Sequence, residues 1–158
     1  MDRAVGMDAS EQKVIDDIAE FGWHCVHVQA NGLQPPFSYT VGLFHTYKRP
    51  ELFISGLPAQ VTQPVLERAV RSLPTEKPIN MSGSNGVLFE GISCVFVKVP
   101  NAESYLQFGI CRWYYQGQPF PVYQIVWPDR GGRFPWHPQA SRSFGELQPV
   151  LGHVRPGA

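Results

Sequence analysis

Val14, Ile15, Ile18 and Phe21 recur at the spacing of one helix face, Asp8 and Glu11 stand three apart as a capping box, and Gly22 follows. The spacing predicts a helix over Ala9–Phe21. Alternation then takes over: a strand at 23–29 directs Trp23, Cys25 and His27 to one side and His24, Val26 and Val28 to the other. Gln34-Pro35-Pro36 breaks the pattern. A second strand, 37–43, is rich in aromatic and β-branched residues, and a third, Glu51–Ser55, is entered through Pro50 and left through Gly56. Val61, Val65, Leu66, Ala69, Val70 and Leu73 form an apolar helical stripe that must face the sheet. Pro58 suits its first turn, whereas Pro64 falls inside it, so the helix either kinks or becomes regular only from Thr62, and Pro74 and Pro78 close it. A polar loop at Gly83-Ser84-Asn85-Gly86, a hairpin turning at Glu90-Gly91 and a strand over Ile92–Val99 follow. Next come a third helix over 102–115, carrying Tyr105, Leu106, Ile110 and Trp113, and a last strand over 122–127. Strands in runs with only three helices between them predict an α+β fold, one domain over 9–152. Its mainly antiparallel, twisted sheet packs against two or three helices, with residues 1–8 and 153–158 as flexible termini.

Composition narrows the function classes. The chain has 158 residues, 43% of them apolar, enough to bury a core without disulfides or a structural metal. Thirteen basic and thirteen acidic residues give no general attraction to nucleic acid or an acidic membrane. The apolar runs are far shorter than a bilayer-spanning helix needs, and residues 1–10 have no leader-like apolar stretch, so a cytoplasmic protein is expected. Cys25, Cys94 and Cys111, an odd number at irregular spacing, read as reduced and mostly buried thiols.

Sorting the acidic residues by their place on the predicted elements leaves Glu51, Glu90 and Asp129 away from helix surfaces, termini and ordinary loops. Glu51 opens a strand and Asp129 closes one. Together they could act as acid and base, or hold a cationic group, if they line one site. Asp129 could equally cap the turn Asp129-Arg130-Gly131-Gly132 through the backbone. His24 and His27 fall on opposite faces of a strand and no other histidines share a chelating spacing, so no metal site is expected. His45, in the loop Phe44-His45-Thr46-Tyr47, is a third acid–base candidate. No nucleophile elbow, Walker sequence or dinucleotide fingerprint occurs, and no cofactor is expected. A flavin-binding split barrel is a fold-level variant, drawn only from the short strands and Gly/Pro turns. Trp127-Pro128 and Pro135-Trp136 put stiff rings beside prolines, as in a pocket wall, and Arg130 and Arg133 flank the double glycine.

Several motifs carry a resemblance. They are Phe37-Ser38-Tyr39-Thr40-Val41-Gly42-Leu43, Arg49-Pro50-Glu51-Leu52-Phe53-Ile54 leading to Gly56-Leu57-Pro58, Gln124-Ile125-Val126-Trp127-Pro128-Asp129 with Gly132, and Phe134-Pro135-Trp136. In these the chain resembles the bacterial DUF4262 family, from about Ile15 to Gly152. The resemblance implies a small bacterial cytosolic domain and points to Tyr39, Thr40, Glu51, Gln124, Trp127, Asp129 and Trp136 as motif positions. His137 stands where an acidic residue is expected. Three functions are in view. The first is a binding module in which these motif residues form an aromatic-walled pocket for a small polar ligand or a partner's segment. The second is a hydrolase- or isomerase-like enzyme using Glu51, Asp129 or His45. The third is a protein–protein accessory, such as a neutralising factor, anchored by the C-terminal aromatic surface.

Overall fold

The N-terminal helix forms as its pattern requires: in α1 (Ala9–Phe21) the Asp8 carboxylate accepts from the Glu11 amide while the Glu11 side chain accepts from the Asp8 amide, and Gly22 ends it at φ +89°. The computed structural model describes residues 8–75, 84–89 and 92–152. Val14 and Ile18 are the buried face of α1.

β1 (His24–Val28) and β2 (Phe37–Val41) form an antiparallel pair, and β2 runs antiparallel to β3 (Glu51–Ser55). β4 (Ser84–Phe89), β5 (Ile92–Val99) and β6 (Val122–Val126) complete a six-stranded sheet in the order β1-β2-β3-β6-β5-β4. Among the described residues only the central β3–β6 contact is parallel; the other strand pairings are antiparallel. The sheet is open, with β1 and β4 at its ends, and is therefore not the split barrel considered above.

Alternation along the strands feeds two apolar layers. On one face Phe37, Tyr39, Val41, Phe53 and Val122 pack with Val14 and Ile18 of α1 and with Phe108, Cys111 and Tyr114. On the other, Leu52, Ile54, Cys94 and Ile125 pack beneath Val65, Leu66, Ala69 and Val70 of α3 (Ala59–Ser72). The expected sidedness of β1 holds, with Val26 and Val28 against the first layer and Trp23 and Cys25 against the second. β2 and β3 are buried along their length, as a sheet covered on two faces demands. The α+β, mainly antiparallel reading is what the chain adopts.

Local differences have local causes. The second strand stops at Val41 because Gly42 turns the chain at φ +105° into a short helix, α2 (Leu43–Tyr47), where a loop is expected. α3 starts at Ala59 and carries Pro64 inside it, without waiting for Thr62. The helix expected over 102–115 is broken. Single 3-10 turns at Ala102–Ser104 and Leu106–Phe108 flank an extended Tyr105, and the α-helix proper, α4 (Gly109–Tyr114), follows. Tyr105 is held out of helical geometry while its hydroxyl donates to the Leu151 carbonyl and its own carbonyl accepts from the Arg112 guanidinium. Ser84, Asn85 and Gly86 belong to β4, not to a polar loop. A further helix, α5 (Arg142–Leu147), is capped by Ser141 and has no counterpart in the sequence reading. Pro78, Gly83, Glu90, Gly91, His153 and the proposed flexible ends, apart from the capping Asp8, lie outside the described residues.

Candidate functional site

Pro50 delivers Glu51 to the first position of β3, where its carboxylate meets the turn that β2 makes into α2. A short helix begins with amides that lack intrahelical partners. Here Glu51 supplies the acceptor: its oxygens receive the amides of Gly42, Leu43 and Phe44, each at 3.1 Å. The Thr40 hydroxyl donates at 2.7 Å, and the Tyr115 hydroxyl donates as well. Thr40 receives the Leu52 amide and Tyr115 receives the His45 amide, so both hydroxyls have their own protons free to give to Glu51. Gly42 is required at the turn, since a Cβ there would stand 2.9 Å from Ile18 Cγ1.

Glu51 is fully buried. Burial pushes its pKa above the ordinary carboxyl value, and the hydrogen bonds from Tyr115, Thr40, Phe44 and Leu43 draw it back. Burial, and then the adjacent carboxylate, push the Tyr115 hydroxyl far up, so it stays protonated and remains a donor.

Tyr115 also forms the floor of a groove of about 770 Å³ between α1, α2 and α4. Ile15, Ile18 and Ala19 of α1 make one wall, and His45, Thr46, Tyr114 and Gln118 make the opposite wall and rim. The rings are fixed by one another. Tyr114 meets His45 and Tyr115 edge-on, with centroids 5.9 and 5.1 Å apart, and Tyr115 stacks on Phe120 at 5.5 Å. The His45 ring is exposed at the mouth. The groove thus offers rigid aromatic surface beside an imidazole, a hydroxyl and an amide, a composition suited to small polar ligands.

The structure brings Thr40, Glu51 and His45 together and sends the other candidates elsewhere. Tyr39 is a core ring whose hydroxyl accepts the Ile110 amide. Gln124, fully buried, donates to the Pro149 carbonyl and accepts the Leu151 amide, pinning the segment after α5. The Trp127 indole donates to the Ser55 carbonyl, and its backbone is bonded at both N–H and C=O by the Gln148 amide. Asp129 takes the capping position in its turn, accepting the Gly131 and Arg133 amides at 2.9 Å and pairing with the Arg133 guanidinium. Those amides, the Arg133 one first, hold its pKa below the usual carboxylate value. Trp136 lies flat on Phe134, centroids 5.1 Å apart.

Glu51 and Asp129 do not share a site. Glu51 pairs with Val122 in the parallel register, so Asp129 lies seven residues further along, roughly 20 Å at strand rise, beyond the opposite end of the sheet. Sequence reasoning missed Tyr115, Gln118 and Thr46. Trp113-Tyr114-Tyr115 is an aromatic run in the sequence, but no local signal links Tyr115 to a glutamate 64 positions earlier.

Among the described residues no group of three or more His, Cys, Asp or Glu side chains is placed to hold a metal ion, and no helix is long and apolar enough to cross a membrane. Burial raises the thiols, Cys25 to about 12 and Cys94 to about 11, and pushes Cys111 well above the ordinary thiol value. No curated protein and no solved structure matches the chain. The family model for DUF4262, a domain of unknown function, matches residues 17–141, most of the chain and all the strands that carry Thr40, Glu51 and Gln124. The chain belongs to the DUF4262 family.

Proposed function

We propose that this domain is a binding module of the cytoplasm whose groove between α1, α2 and α4 takes a small polar ligand, with one flat or apolar face laid against Tyr114 and Tyr115. The observation that carries the reading is the Tyr115–Glu51 hydrogen bond, which ties the groove floor to a fully buried carboxylate and holds the aromatic wall in place before any ligand arrives. The apolar side from α1 and the polar rim of His45, Thr46 and Gln118 match a ligand of mixed character.

An acid–base role for Glu51 draws less support, because five donors already occupy its two oxygens. Titration of the labelled protein with a panel of small polar metabolites, followed by amide and side-chain chemical shifts, tests the proposal. The expected result is saturable shifts at His45, Thr46, Tyr115 and Gln118 that His45→Ala and Gln118→Ala weaken by about tenfold each. Shifts confined to Trp127, Phe134 and Trp136 would overturn it and favour the C-terminal aromatic surface as the binding face.

A further inference from the structure

On the α3 side of the sheet, away from that groove, His27 and Ser38 are direct cross-strand partners of β1 and β2. His27 Nδ1 lies 2.7 Å from Ser38 Oγ, and His27 Nε2 lies 2.6 Å from Gln63 Oε1 on α3. The Gln63 amide nitrogen donates at 2.8 Å to the Glu67 carboxylate, which can only accept. That fixes the amide with its oxygen toward His27, so Nε2 carries the imidazole proton and Nδ1 is left as the acceptor for the Ser38 hydroxyl. Thr62 Oγ1 lies 2.7 Å from Ser38 Oγ on the other side, and its hydroxyl also reaches the Ala59 carbonyl at 3.4 Å. Glu67, Gln63, His27 and Ser38 therefore form one polarised chain ending on a hydroxyl, with the base oriented by a third group.

Ser38 borders a cavity of about 310 Å³ with apolar walls from Val28, Pro36, Phe37 and Leu57. The start of α3 opens into the same cavity through Ala59 and Gln60, and its N-cap, Pro58, supplies no side-chain acceptor for the leading amides. We propose that Ser38 and His27 are a nucleophile–base pair that takes a short acyl group from an ester, with the carbonyl oxygen directed at the first amides of α3. Ser38 Oγ bonds to the carbonyl carbon as its proton passes to His27 Nδ1. The carbon–oxygen bond to the alcohol then breaks, and the alcohol leaves with that proton. Water repeats the sequence on the acyl-serine, releasing the acid and restoring the hydroxyl.

The test is incubation of the intact protein with p-nitrophenyl acetate, reading nitrophenolate release and locating the acetyl group by peptide mass spectrometry. Acetylation of Ser38 is expected, absent in Ser38→Ala and at least a hundredfold slower in His27→Ala, whose exposed ring can be removed without opening the core. Gln63→Leu, which keeps the fold but releases the imidazole, should slow it about tenfold at unchanged Tm. Folded wild-type protein with no acetyl group on Ser38, or acetylation of Ser38 at the same rate in His27→Ala, would overturn the proposal. A purely structural network predicts the first of these, with lowered Tm in the variants.

Discussion

The Tyr115 hydroxyl donates to the Glu51 carboxylate across 64 positions of sequence, and through that one bond the turn between β2 and α2 is joined to the end of α4. Glu51 organises the turn from below and Tyr115 presents the result to the groove.

Tyr115→Phe removes one of five donors to Glu51 and leaves the ring in place. A hydrogen bond to a charged or strongly polarised acceptor contributes about 1.5–3 kcal/mol, so urea denaturation should show a loss in that range with an unchanged m-value. The His45 amide, which Tyr115 accepts, should exchange faster with solvent.

Glu51 links stability to pH. Its folded pKa is raised by burial, so the native state holds the proton more readily than the unfolded chain does. Its contribution is fully present below the ordinary value of 4.5 and is lost as pH rises from there through the raised folded value. The stability difference between wild type and Glu51→Gln, measured by denaturant melts at several pH values, should therefore shrink as pH rises through that window. Glu51→Gln turns an N–H group toward backbone donors that cannot accept it, and it should cost about 2–4 kcal/mol even where the difference is smallest. A pH-independent difference would show that burial does not govern this carboxyl.

Gly42→Ala tests the turn itself. The position has φ +105°, and a Cβ would meet Ile18 of α1 at 2.9 Å. Strain of this kind costs about 1–3 kcal/mol, to which the displaced Ile18 packing adds. Differential scanning calorimetry should show the lowered Tm, and amide exchange should place the loosening at α2.

Gln148 is a side chain doing the work of a strand. Fully buried, it bonds both the N–H and the C=O of Trp127, continuing the hydrogen bonding of β6 one residue past its end. Gln148→Leu keeps the volume and leaves both backbone groups unpaired, at about 1–3 kcal/mol for each. A loss near the sum, read from equilibrium unfolding, is expected. Groove ligands should bind the folded variant as before.

Much of the architecture was legible along the chain, because it follows from periodicity and steric rules that act over a few residues. The capping box of Asp8 and Glu11, the alternation in β1, the stripe on α3 and the break at Gly56 each made a local element, and those elements admit an open α+β sheet. The Trp-Pro-Asp and Phe-Pro-Trp motifs identified the family for the same reason, being contiguous. Neither periodicity nor motif reaches across the fold. That β6 inserts beside β3 in parallel decided that Glu51 and Asp129 stand at opposite ends of the sheet, and the same closure brought Tyr115 onto Glu51 and Gln148 onto Trp127. Each of these partnerships arises because a buried carboxylate or backbone group must find a donor or acceptor within about 3 Å, whatever its distance in sequence. The sequence determined the local elements and their apolar faces; only the tertiary structure decided which polar groups would be buried and which of them would meet.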